Sequence, residues 1–174
     1  MIEREKTYLV KQLPDDLKTA SSQEIIDLYM PFSSPHPKLR VRKNGNIFEM
    51  TKKTPLTPQD RSTQEEQTIK LSKEEFDFFL TIPSKRIRKI RYYYPYGSSI
   101  IEFDIFQEGL RGLILADIEF TSEEEKKRFT SPSFLLSDVT QEDFIAGGML
   151  CGKTYTDIAP LLENFNYTPI IFEE

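Results

Sequence analysis

Hydrophobic and polar side chains alternate residue by residue through long stretches of the chain. A period of two is the signature of a strand, because successive strand side chains point to opposite faces. The alternation predicts seven strands, at 3–10, 39–43, 46–53, 64–71, 88–94, 99–106 and 113–120. Asn44-Gly45 reads as a type I′ hairpin turn, which needs positive φ at both central residues. That turn pairs Lys43 with Asn46, sets Arg42 against Ile47, and sets Arg40 against Glu49. Pro95-Tyr96-Gly97-Ser98 closes a second hairpin, a tight link at 109–112 leads into the last strand, and loops are expected at 31–37 and 53–64. Helices are fewer. Ser72-Lys73-Glu74-Glu75 and Ser122-Glu123-Glu124-Glu125 are capping boxes opening helices to about Leu80 and Phe129. Ser21-Ser22-Gln23-Glu24 predicts another over 25–29. The tail is expected to be helical at 141–150 and 155–165, broken around Gly147-Gly148. Hairpin-linked strands with helical insertions give an α+β or closed-barrel class in one domain, 1–174, and not a doubly wound sheet.

The alternation also sorts charge. Arg40, Arg42, Glu49, Thr51 and Lys53 share one face, opposite Leu39, Val41, Phe48 and Met50. Lys89 and Arg91 alternate with Ile90 and Tyr92, Glu102 and Asp104 with Ile101, Phe103 and Ile105, and Asp117 and Glu119 with Ile114, Ala116, Ile118 and Phe120. Glu3 shares a face with Glu5, and Gln64 with Glu66 and Thr68, while Leu115 is an apolar intruder on a charged face. A solvated polar face would explain alternation alone. It does not explain acids gathered on the strands of Glu3, Glu102 and Asp117 and bases on those of Arg40 and Lys89. Same-sign neighbours repel unless an opposite charge lies between them. Paired carboxylates invite a divalent cation, paired Arg and Lys invite phosphate, and a face with both invites a metal-bound polyphosphate.

Composition narrows the partners. The 174 residues carry 23 basic and 28 acidic side chains, a net of −5, which does not suggest a general nucleic-acid surface. There is no apolar run of membrane-spanning length, and the charged start Met1-Ile2-Glu3-Arg4-Glu5-Lys6 does not read as a signal peptide, so a cytoplasmic location is expected. One cysteine, Cys151, and one histidine, His36, exclude an internal disulfide, a cysteine zinc site and a two-histidine metal site. Cys151 is expected to be a small buried residue, and His36, between Pro35 and Pro37, to lie in a surface loop. Any metal site must use carboxylates, which favours magnesium or manganese.

Six motifs in chain order resemble the CYTH domain of the triphosphate tunnel metalloenzymes. They are Glu3-Arg4-Glu5 leading into Tyr8-Leu9-Val10, Arg40-Val41-Arg42, Thr51-Lys52-Lys53, Lys89-Ile90-Arg91-Tyr92, Glu102-Phe103-Asp104, and Gly112-Leu113 followed by Asp117-Ile118-Glu119. Asp138-Val139-Thr140 is similar to the family's later Val-Thr segment. The sequence departs from the family at Thr7, which stands where the family has a lysine. In the fourth strand only Glu66 clearly matches, and 145–148 holds no equivalent of the family's asparagine.

The resemblance implies an eight-stranded antiparallel closed β-barrel with helices packed outside and the charged faces turned inward; the sequence leaves the eighth strand unlocated. It implies hydrolysis of inorganic triphosphate or a related triphosphate with Mg2+ or Mn2+. Arg40, Arg42, Lys53, Lys89 and Arg91 would hold phosphates, and Glu3, Glu5, Glu66, Glu102, Asp104, Asp117 and Glu119 would serve the metal. Glu3, Glu5, Lys53 and Lys89 would be catalytic. The alternatives are an adenylate cyclase of the same fold, for which no adenine pocket can be read, and a non-catalytic polyphosphate- or nucleotide-binding module. The expected partner is a triphosphate-bearing small molecule, with neither nucleic acid nor membrane, and no oligomer is indicated. Gly147 to Thr154 has P-loop spacing but no preceding strand, and Tyr92, Tyr93, Tyr94 and Tyr96 read as a β-hairpin aromatic cluster packing on helices.

Overall fold

The fold is seen in a computed structural model describing residues 1–173. Nine antiparallel strands form it: β1 (Ile2–Val10), β2 (Ser21–Met30), β3 (Leu39–Asn44), β4 (Ile47–Thr57), β5 (Asp60–Leu71), β6 (Lys85–Tyr96), β7 (Ser99–Phe106), β8 (Ile114–Glu119) and β9 (Leu135–Asp138). Their order is β5-β4-β3-β2-β6-β7-β8-β1, and β1 returns to β5 through Ile2↔Glu65 and Arg4↔Thr63, which closes an eight-stranded barrel. Further along β1, β9 takes over the same edge, pairing Tyr8 with Asp138.

The unlocated strand is β2. Residues 21–29 are not helical; they run extended between β3 and β6, with Asp27 opposite Arg42 on one side and Ile87 on the other. The capping-box signature of Ser21 to Glu24 is overridden because Ile25 and Ile26 suit a pleated surface and two strand edges flank the segment. The first hairpin also differs. Asn44 pairs with Ile47, so the turn is Gly45-Asn46, with Gly45 at φ +56°, and Arg42 faces Glu49 while Arg40 faces Thr51. The register moves by two positions, an even number, so every side chain keeps its expected face. The 53–64 segment is no loop: β4 and β5 continue through it to a short tip after Thr57.

The outer faces around β2–β3 and β7–β8 are apolar and covered, whereas β4 and β5 carry exposed Lys52, Glu65 and Gln67 outside. Helix α1 (Lys73–Phe79), opened by the Ser72–Glu75 capping box, lays Phe76 over Leu28, Met30 and Val41, with the Phe48 ring 5.1 Å away. Phe103, Ile101 and Ile118 are fully buried on the outer side of β7 and β8. Helix α2 (Glu123–Arg128) and the segments around Phe129, Phe134 and Phe172 cover that side. Tyr92 meets Phe172, and Tyr94 and Tyr96 meet Phe134, so three of the four tyrosines do pack on aromatic rings, but on rings of non-helical segments rather than on helices.

One end of the barrel is plugged. After β9 the chain makes a 3-10 turn (Asp143–Ile145), a four-residue helix α3 (Gly147–Leu150) and α4 (Tyr155–Glu163). Leu150, Ile145 and Val139 bury against the inward side chains Leu9, Tyr29, Ile87, Phe106 and Leu115. This explains Leu115: it faces inward, as its parity requires, at the closed end. The 141–150 segment is therefore two short pieces, and Gly147-Gly148 starts a helix rather than breaking one. A Cβ on Gly147 would lie 1.9 Å from Tyr29 Oη, and one on Gly148 would lie 2.2 Å from the Pro37 carbonyl, so only glycine lets the plug seat. Because this helix follows a 3-10 turn and not a strand, the Gly147 to Thr154 spacing is no P-loop. Cys151 is buried, its thiol donates to the Gly148 carbonyl at 3.1 Å, and burial raises its pKa to about 11.

Candidate active site

Strand parity turns the polar faces of all eight barrel strands toward one axis. They line a cavity of about 370 Å³ that also reaches the plug residues Val139 to Leu150. Its wall holds seven Lys and Arg against nine Asp and Glu. Arg40, Arg42, Lys53, Lys89 and Arg91 all reach it, as do Glu3, Glu5, Glu66, Asp104, Asp117 and Glu119. Glu102 points inward but lies outside the lining, bonded to Arg91.

Most bases are already engaged. Arg42 forks onto Asp27 at 2.7 and 2.8 Å. Arg91 donates to both oxygens of Asp104 at 2.7 Å, also bonds Glu102, and stands 3.4 Å from Asp117. Lys89 bonds the same Asp104. Lys53 Nζ lies 2.6 Å from Glu3, 3.6 Å from Glu66 and 4.0 Å from Glu5. Of the five bases on the inward strand faces, Arg40 is the least committed, its Nε 4.0 Å from Asp27.

These pairings set the titration of the wall. Burial works against ionised Asp27 and Asp104, yet the guanidinium of Arg42 and that of Arg91 with the Lys89 ammonium hold them well below the usual carboxylate range. Four other carboxylates move the other way. Burial first, then the charges of Glu5 and Asp104, push Asp117 up to about 6. Glu5, Glu102 and Glu119 are also raised, chiefly by burial. Burial lowers Lys89, and its Arg91 and Arg42 neighbours add to that against the pull of Asp104. Lys53 is raised because Glu5 and Glu3 outweigh its burial.

One oxygen each from Glu3, Glu5 and Glu119 lie within 4.8 Å of one another, a three-carboxylate cluster that suits a hard divalent cation. Thr7 stands beside it in β1, its Oγ1 donating to Asp117 Oδ1 at 2.7 Å. Sequence reasoning missed Asp27, because its segment read as helix, and Lys38, Arg61 and Thr140, which line the cavity from strand ends and loops. His36 does sit in the 31–37 loop, but half-buried and turned to the cavity rather than to open solvent. Among the described residues no helix is long and apolar enough to cross a membrane.

An inorganic triphosphatase of Nitrosomonas europaea is 26% identical over 145 residues, spanning 82% of this chain and 91% of that protein. A solved inorganic triphosphatase superposes with TM-score 0.61 at 23% identity, covering 86% of this chain and 93% of its own. A protein of Pyrococcus furiosus superposes with TM-score 0.52 at 22% identity, over 72% of this chain and 82% of its own. No protein-family model matches the chain.

Proposed function

We propose that this chain, a triphosphate tunnel domain of the CYTH type, hydrolyses inorganic triphosphate or a closely related triphosphate with a divalent cation. The observation that carries this is the convergence of five bases and at least six carboxylates from β1, β3, β4, β5, β6, β7 and β8 on one cavity. The similarity to an inorganic triphosphatase supports the substrate class.

The charge of the wall argues for metal. Nine acids against seven bases repel a polyanion, so the substrate needs accompanying cations. Glu3, Glu5 and Glu119 would hold magnesium or manganese, with Asp117 beside them and Glu66, Glu102 and Asp104 further along the same interior. When bound, the cation neutralises phosphate charge and lowers the pKa of an attacking water. Arg40 would take phosphate oxygens directly, Lys53 and Lys89 would carry charge to the phosphate chain, and Arg91 would fix the acidic end through Asp104 and Asp117. The plug packs one end with apolar side chains. Catalysis is then mainly positioning and electrostatics.

Thr7 favours a second reading, a tunnel that binds triphosphate tightly and turns it over slowly, because its hydroxyl brings no charge. A substrate panel separates these readings and the cyclase. Inorganic triphosphate, thiamine triphosphate and ATP are incubated with magnesium or manganese, and orthophosphate, pyrophosphate and cyclic AMP are measured separately. Orthophosphate with pyrophosphate from inorganic triphosphate supports hydrolysis. Cyclic AMP from ATP overturns it, and binding without any product points to the slow tunnel.

A further inference from the structure

The two arginines of β3 converge on one carboxylate. Arg42 Nε and Nη2 donate to Oδ1 and Oδ2 of Asp27 at 2.7 and 2.8 Å, and Arg40 Nε stands 4.0 Å from Oδ1. Asp27 is 1% exposed and Arg42 8%, and both line the cavity. Two parallel N–H···O bonds are also the geometry that a guanidinium offers to two oxygens of a phosphoryl group. Asp27 therefore holds the face of Arg42 that a phosphate would take. Arg40 Nε, buried alongside, has no hydrogen-bond partner.

We propose that Asp27 sets the affinity of the tunnel by occupying Arg42 in competition with phosphate. The inference rests on the reading of the tunnel as a triphosphate site. A bound triphosphate meets Arg40 without a rival and reaches Arg42 only by sharing or displacing Asp27. The carboxylate thus acts oppositely on two states. It compensates a buried guanidinium in the free protein, and it opposes one charge-assisted contact in the complex. Removing its charge should trade stability for affinity, which a residue that merely orients Arg42 would not do.

The test uses Asp27→Asn and the nitrogen-bridged analogue of tripolyphosphate, which resists hydrolysis, titrated by calorimetry with magnesium present. The free variant should melt lower than wild type. It should bind the analogue about tenfold more tightly, the effect of one additional charge-assisted hydrogen-bonded contact. The analogue should then raise the melting midpoint more in the variant than in wild type. In Asp27→Asn/Arg42→Gln the gain should vanish, since it runs through Arg42. If Asp27→Asn is unfolded alone, the analogue should restore its circular dichroism, and a variant that stays unfolded overturns the proposal. Wild-type binding with equal or weaker binding by a folded Asp27→Asn overturns it too, leaving the triphosphate reading intact. Binding by neither protein overturns both.

Discussion

Thr7 Oγ1 donates a 2.7 Å hydrogen bond to Oδ1 of Asp117, directly across the β1–β8 ladder. The backbone of Thr7 is tied on its other side, its amide donating to Thr140 Oγ1 at 3.0 Å. A neutral hydroxyl therefore faces a carboxylate that burial and like charge have raised to about 6. Thr7→Lys places a cation at that carboxylate. A positioned catalytic group is worth about 10²–10⁴-fold in rate, so Thr7→Lys should raise single-turnover hydrolysis of tripolyphosphate while changing its dissociation constant little. A wild type already as fast as the variant would assign that role to another base.

The carboxylates predict a two-sided pH dependence of stability in the metal-free protein. Asp117, Glu5, Glu102 and Glu119 have raised values, so the folded state gains protons ahead of the unfolded chain as pH falls. Asp27 and Asp104 are held low, and the stability they bring is present above the ordinary aspartate value and lost below it. Urea midpoints in chelator should therefore rise from about pH 7 to about pH 5 and fall again by about pH 3. A midpoint that declines steadily from neutral pH would mean that burial does not hold these carboxylates above their ordinary values.

Asp104 is 1% exposed and compensates both Arg91 and Lys89. Asp104→Ala leaves two buried cations short of a partner, and breaking a buried pair costs about 3–5 kcal/mol. Chemical denaturation should show a loss of that size. A loss of under about 1 kcal/mol, the range of exposed pairs, would place Asp104 in contact with solvent.

The polar interior was legible because strand parity survives errors of register. Arg40, Arg42, Lys53, Lys89 and Arg91 reach one cavity even though the first hairpin turns at Gly45-Asn46 rather than Asn44-Gly45. Asp27 was illegible for a local reason: Ser21 to Glu24 mimics a helix start, and only two neighbouring strand edges make the segment a strand. The plug was hidden as well. Gly147 looks like a helix breaker until Tyr29, more than a hundred residues earlier, is found against it.

That contact makes its own prediction. Gly147→Ala puts a methyl 1.9 Å from Tyr29 Oη, and overpacking of this kind costs about 1–3 kcal/mol. Tyr29→Phe removes the clashing oxygen, so Gly147→Ala should be milder in that background. A double-mutant cycle with no coupling between the two sites would mean the plug does not seat on Tyr29.

An acid-rich tunnel should accept a triphosphate only together with a divalent cation. The direct measurement is the melting midpoint with tripolyphosphate alone in chelator, with magnesium alone, and with both. Tripolyphosphate in chelator should give almost no shift, and the pair a shift well above the sum of the two. An equal shift by tripolyphosphate in chelator and with magnesium would contradict this.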